Sequence, residues 1–462
     1  MQPPHVSHPR LRRLLSHEWL SPLQWRRRLL FWCGALLVAL VAIAFAKLST
    51  LAYQSFVRIT AHRSWLPLLM TPAVFALLAW LTSGALRATR GSGIPQAMAA
   101  LKIEDEGFRH RLLSLRIAAG KMALTLAGLL AGASIGREGP TVHVGAGLLY
   151  SLGRRFGFAE PAAAGRFVLA GAAAGLAAAF NTPLAGVVFA IEEMAGAYEH
   201  RMSGIILTAV IIAGIVSLGL LGNYAYFGTI TTALPLGQSW LAVLLCGLLC
   251  GLAGGLFARI ILLSGTVLSS VANLRARWPI PFAAGCGLAL ALVGVASAGS
   301  VYGTGYDQAR AILQNATVAP DASFGGLKFV ANIVSYWAGI PGGIFSPALA
   351  VGAGLGHNIA HLLPGTPANA VVLLGMAAYL AGVTQAPLTS AIISMELTAN
   401  QAMIIPILAV CLIARGSSAL FCPTPVYRAF AQRLIAEHEE GRDQAAAPSN
   451  PNATPARGQE KA

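Results

Sequence analysis

The chain has 462 residues, of which 56% are hydrophobic and only 11% charged, and it carries a formal net charge of +15. Soluble domains carry about a quarter charged residues, so this composition excludes an ordinary water-soluble globular protein. The positive balance does not point to nucleic acid, because the basic residues flank apolar runs and no aromatic-interleaved basic face accompanies them.

Residues 1–28 form a polar, basic N-terminal segment. Arg10, Arg12, Arg13 and the run Arg26, Arg27, Arg28 stand just before the first apolar run, the charge pattern of a cytoplasmic flank. That run, Leu29–Thr50, is too long for the apolar part of a signal peptide and reads as a retained span. Leu66–Leu86, Ile205–Leu221, Leu241–Leu263 and Met403–Phe421 follow. Each comes close to the ~20 residues that cross a hydrocarbon core of about 30 Å. The expected organisation is a first membrane half over 29–222, a second over 223–430, and a tail over 431–462. From about Ala436 the tail is rich in Ala, Pro, Asn, Glu and Lys and reads as a disordered cytoplasmic segment. The six cysteines lie in or beside apolar runs. Cys246 and Cys250 share a helix face, but no histidine or carboxylate joins them, so neither a metal nor a cofactor is expected.

The membrane body is interrupted by glycine and proline at Gly91–Pro95, Gly136–Pro140 and Gly339–Pro347. Unpaired backbone is costly in lipid, so broken helices persist where protein encloses them around a cavity. Such breaks at matching places in two halves point to a transporter's binding site. The halves do match. The pattern Leu169-x-Gly-x-Ala-Ala-x-Leu-Ala, Pro183-Leu184, Glu192 recurs about two hundred positions later as Leu373-x-Gly-x-Ala-Ala-x-Leu-Ala, Pro387-Leu388, Glu396. Upstream, Gly136-Arg-Glu-Gly-Pro140 pairs with Gly343-Ile-Phe-Ser-Pro347. This pattern indicates a duplication; whether the repeats run parallel or inverted is not visible in the alignment.

A membrane site for a small anion must offset a desolvation cost of tens of kcal/mol by Born estimates, yet bind weakly enough to release. Helix N-termini meet both demands, since each offers free N–H groups and about half a positive charge. Ser92-Gly-Ile-Pro95, Glu138-Gly-Pro140 and Phe345-Ser-Pro347 each enter an apolar helix. Glycine permits close backbone approach there, and proline begins a helix without losing a hydrogen bond.

Glu138 is the most informative residue, because a carboxylate inside a membrane costs roughly 2.5–3.5 kcal/mol on insertion scales and is functional by default. At an N-terminal anion site it competes with the anion when ionised and leaves when protonated, which makes it both a gate and a proton carrier. The competing reading is an ion pair with Arg137. Glu192 has a repeat partner in Glu396, which suggests a shared structural role such as bonding to a helix end. Glu193 faces Leu397 in the repeat and is the better candidate for a dedicated proton site.

At these residues the chain resembles the CLC family of chloride channels and transporters. Gly91-Ser-Gly-Ile-Pro95, Gly136-Arg-Glu-Gly-Pro140, Gly343-Ile-Phe-Ser-Pro347 and the late Tyr427 look like its four anion-site segments, in order, with similarity over roughly residues 30–430. The resemblance implies an all-α polytopic membrane protein of two inverted-topology repeats with broken, tilted helices, working as a homodimer with one pore per subunit. It implies chloride held by the Ser92 and Tyr427 hydroxyls and the amides of Ile344 and Phe345. It assigns gating to Glu138 and inner proton transfer to Glu193. Gly91, Gly93, Ile94, Pro95, Gly136, Arg137, Gly139, Pro140, Gly343, Ser346 and Pro347 complete the motifs. The resemblance also implies that serine at position 92 favours chloride, since nitrate-selective members carry proline there and fluoride exporters methionine. Ser346 departs from the alanine of many members, and since only its amide is assigned to the anion, little change is expected beyond an effect of the hydroxyl on affinity.

The expected function is therefore secondary active exchange of chloride for protons across a lipid bilayer, in the inner (plasma) membrane of a prokaryote. A passive channel of the same fold is the alternative. An intramembrane enzyme is not expected, since His143 and Glu138 lack metalloprotease spacing and Ser92 has no evident histidine partner.

Overall fold

The computed structural model describes residues 22–446 apart from Ala159, 196–202, 223, 264–269 and 316–319. Arg10, Arg12 and Arg13, and the tail beyond Ala446, lie outside the described residues. The described secondary structure is helical, joined by turns and two isolated bridges.

In chain order the first half comprises α1 (Pro22–Thr60), α2 (Pro67–Leu81), α3 (Ile94–Lys102), α4 (Glu106–Leu113), α5 (Leu115–Leu130), α6 (Glu138–Arg155), α7 (Pro161–Phe180), α8 (Pro183–Phe189) and α9 (Ser203–Leu221). The second half comprises α10 (Leu241–Leu263), α11 (Ser270–Arg277), α12 (Pro279–Ala296), α13 (Tyr306–Leu313), α14 (Phe324–Trp337), α15 (Phe345–His361), α16 (Ala368–Thr384), α17 (Pro387–Thr398), α18 (Ile404–Ser418) and α19 (Val426–Ala446). Among the described residues, five stretches, including Trp25–Thr60 and Gln238–Leu263, are long and apolar enough to cross a membrane. Others, such as α3 with 9 residues, are too short at 1.5 Å per residue; α3 starts at the buried Ile94 and ends at the exposed Lys102.

Two boundaries differ from the sequence expectation. The first helix begins at Pro22 rather than near residue 29, because the arginines extend it instead of ending it. Arg26 donates to the Phe156 carbonyl at 3.1 Å and Arg28 lies over the Trp25 ring, so the charges settle at the rim without breaking the helix. The tail expected to be disordered from 431 is helical to Ala446. Its helix is docked: Glu437 pairs with Arg87 at 3.4 Å, and the His438 ring stacks on Phe108 at 4.4 Å.

Small residues hold the core together. α6 crosses α7 where Gly145 meets Gly171, and a Cβ on Gly145 would sit 2.3 Å from the Gly171 carbonyl oxygen. The corresponding helices of the second half, α15 and α16, cross where Gly352 meets Gly375, with 2.6 Å for the same construction. Without a water-driven force between spans, such close backbone contact supplies the packing. The helix ends match as well. Asn181 and Gln385 close α7 and α16 in the left-handed conformation, with φ of 58° and 59°.

The halves also exchange caps. Glu192 accepts hydrogen bonds from the amides of Leu388 and Thr389 at 3.1 and 2.6 Å. Glu396 accepts from Leu184 and Ala185 at the same 3.1 and 2.6 Å. Each carboxylate thus satisfies the open N-terminus of the short helix in the opposite half. This reciprocity is what a pseudo-two-fold between the repeats produces, and it is the structural role expected for the pair.

Candidate functional site

The three breaks meet. Gly136 and Gly343 exchange backbone hydrogen bonds at 2.8 and 2.7 Å, and the Gly342 amide donates to the Gly91 carbonyl at 3.1 Å. These are the two bridges of the fold, Gly136 with Gly343 and Gly91 with Pro341. They pin the starts of α3, α6 and α15 side by side. Ser92, Gly93, Ile94, Pro95, Gly136, Glu138, Gly139, Pro140, Gly343, Ile344, Phe345, Ser346, Pro347 and Tyr427 are all buried here, while Gly91 and Arg137 are half-buried.

None of the three helices has a side-chain cap. In α15 the first helical bond runs from the Ala348 amide to the Ile344 carbonyl, and Pro347 has no N–H. The amides of Ile344, Phe345 and Ser346 accordingly make no hydrogen bond among the described residues. Gly93 precedes α3 at φ 102°, a conformation that L side chains rarely adopt. Gly139 faces Ser92 so closely that a Cβ would lie 2.2 Å from the serine oxygen.

Tyr427 enters on the first turn of α19, with its ring stacked on Phe345 at 6.0 Å and 19°. Ser92 and Tyr427 are 1% and 0% exposed. Neither hydroxyl has a hydrogen-bond partner among the described residues. Buried polar atoms are almost always paired, so two orphaned hydroxyls beside free amides form a donor set aimed at an acceptor ligand. The donors are neutral, which suits a monovalent anion held without a fixed cation.

Glu138 is the first residue of α6 and is fully buried. Its Oε1 accepts from the Ser346 hydroxyl at 2.6 Å, while Oε2 has no partner. The Arg137 Nε stands 4.0 Å from Oε1. Arg137 instead donates through Nη1 to the Ala46 carbonyl and the Thr50 hydroxyl, with its guanidinium over the Tyr226 ring. A tight Arg137 ion pair is therefore not what holds Glu138.

Glu193 lies in a π-helical turn, Ala190–Ala195, that continues α8, and is 8% exposed. Such turns often mark functional positions. Glu192 and Glu396 are committed to their reciprocal caps, whereas Glu193 is not.

Two buried lysines beside the breaks escaped the sequence reading. Lys121 is fully buried, and its ammonium donates to the carbonyls of Thr89 at 2.8 Å and Gly91 at 2.6 Å, bracing the first break. Lys328, also fully buried, donates to the Ser134 hydroxyl at 2.9 Å and to the Val301 and Gly303 carbonyls at 2.8 Å. A lone cation within an apolar helix was the available signal. Lys328 also reveals a fourth break, Gly303-Thr-Gly305-Tyr306, matching Gly91-Ser-Gly93-Ile94. Gly305 precedes α13 at φ 77° as Gly93 precedes α3.

Among known proteins, the family profile described as "Voltage gated chloride channel" matches residues 74–419. The H(+)/Cl(-) exchange transporter ClcA of Cronobacter sakazakii is 33% identical over 437 residues, covering 88% of this chain and 89% of that one. ClcA of Yersinia pestis is 30% identical over 373 residues, covering 76% and 74%. Among solved structures, a slow cyanobacterial Cl-/H+ antiporter superposes with a TM-score of 0.74 at 24% identity, covering 90% of this chain and 99% of that one. A CLC-type fluoride/proton antiporter gives a TM-score of 0.75, also at 24% identity, covering 88% and 98%. The fold is thus the all-α fold of two inverted repeats with broken helices, in a multi-pass membrane protein. With three-quarters of its length matched by the family profile, this chain belongs to the voltage gated chloride channel family.

Proposed function

We propose that this protein exchanges chloride for protons across the membrane. The observation that carries the reading is the buried donor set of Ser92, Tyr427 and the free amides of Ile344 and Phe345, with the Glu138 carboxylate on the adjoining helix start. Chloride occupies the neutral donors, whose pull is moderate enough to permit release. Glu138 alternates with it, as an anion in the seat or as a protonated side chain withdrawn from it. Glu193 takes or delivers the proton on the inner side. The two transported species then share one carboxylate, and that sharing is the physical basis of the coupling.

The relatives named as exchangers support the same reading, and the second buried carboxylate at Glu193 favours it over a passive channel. The wider proposal is a homodimer with one pore per subunit, in a prokaryotic inner membrane. The test is flux in liposomes loaded with a chloride gradient. Wild type moves protons uphill, and Glu138→Ala abolishes that movement while chloride still passes. Chloride flux without proton movement in wild type would replace exchange with the channel reading.

A further inference from the structure

We propose that Ser346 is a positioning residue whose hydroxyl latches the Glu138 carboxylate and thereby sets how readily chloride displaces it. The inference rests on the exchange reading above, and it concerns a side chain to which the motif comparison assigns only a backbone amide.

The bond between Ser346 Oγ and Glu138 Oε1 is 2.6 Å long, in the range of charge-assisted O–H···O bonds. Its ends are 3% and 0% exposed, so water does not compete for either atom. It is also the one hydrogen bond that the Glu138 side chain makes among the described residues, because Oε2 is unpartnered and Arg137 is directed elsewhere.

Ser346 is the second residue of α15, past the N-cap position that Ile344 occupies, and its hydroxyl does not cap its own helix. Its hydroxyl reaches across to α6 instead. Ser346 therefore acts on both sides of one competition. Its amide belongs to the row facing the anion, and its hydroxyl holds the anion's rival. Alanine at this position keeps the amide and removes the latch.

The consequence is directional. Without the latch the carboxylate leaves its place more easily, so chloride binds more tightly in apparent terms. Losing one hydrogen bond to a charged group shifts the competition by about 10-fold.

The experiment is chloride titration calorimetry on the purified full chain, for wild type, Ser346→Ala, Glu138→Ala and the double variant. Ser346→Ala is expected to lower the chloride Kd by about 10-fold when Glu138 is present, and by less than about 2-fold when it is absent. Ser346→Thr, which keeps the hydroxyl, is expected to retain the wild-type Kd and shows that the site still folds. An unchanged or higher Kd in Ser346→Ala would overturn the latch, as would an equal shift in the Glu138→Ala background. Proton flux in liposomes is read separately. Wild type that moves no protons would overturn the exchange reading, while the calorimetric cycle would still decide the latch.

Discussion

Ser92 just before α3 and Tyr427 on the first turn of α19 both bury hydroxyls that have no hydrogen-bond partner among the described residues. One arrives with the first break of the chain and the other with the last described helix, so both halves contribute to this site.

Removing either hydroxyl is therefore expected to weaken chloride binding directly. Ser92→Ala and Tyr427→Phe each delete one neutral donor without opening a large cavity, and each is expected to raise the chloride Kd about 5-fold. Calorimetry on the two variants measures this. Unchanged affinity in both would remove these residues from the anion site.

Glu193→Gln keeps size and polarity but cannot cycle a proton at neutral pH. Proton movement is expected to fall below detection in liposomes while chloride flux continues, and the chloride Kd is expected to stay within about 2-fold because no anion donor is lost. Persisting proton flux at the wild-type ratio to chloride would assign proton transfer to another group.

Glu192→Ala and Glu396→Ala each leave two backbone amides without a partner. Both are expected to lose stability by a similar amount, about 1–3 kcal/mol, read from unfolding in detergent. The matching distances require matching losses. A large effect from one and none from the other would contradict their equivalence.

Lys121→Met frees the Thr89 and Gly91 carbonyls and loosens the turn that presents Ser92. Chloride affinity is expected to fall about 5-fold, even though Lys121 bonds only to backbone carbonyls. Wild-type affinity in a well-folded Lys121→Met protein would show that the first break holds its shape unaided.

Much of the site was legible in the sequence because its markers are local. A carboxylate between glycines at Glu138, and proline four residues after the opening glycine at each break (Gly91, Gly136 and Gly343), stand out against an apolar background. The paired Glu192 and Glu396 were legible as repeat-related, and the structure adds what they bond to. Other features were hidden for identifiable reasons. The fourth break at Gly303–Gly305 carries Asp307 where the first has Pro95, so the glycine-proline marker is missing. Lys121 and Lys328 act through carbonyls that are distant in sequence, and no spacing rule exposes such contacts. The docked end of α19 depends on Arg87 and Phe108, hundreds of residues upstream, so its composition alone suggested disorder. The Ser346 hydroxyl was seen as a departure from the family pattern, but its direction toward Glu138 is a matter of tertiary geometry.

The exchanged caps of Glu192 and Glu396 also bear on biogenesis. When the first half leaves the ribosome, the helix that starts at Pro183 has exposed amides whose acceptor has not yet been synthesised. Only arrival of the segment ending in Glu396 completes it, and the same encounter completes the helix starting at Pro387. The amino-terminal half on its own is therefore an unfinished object, and final closure of both halves is a single late event in assembly.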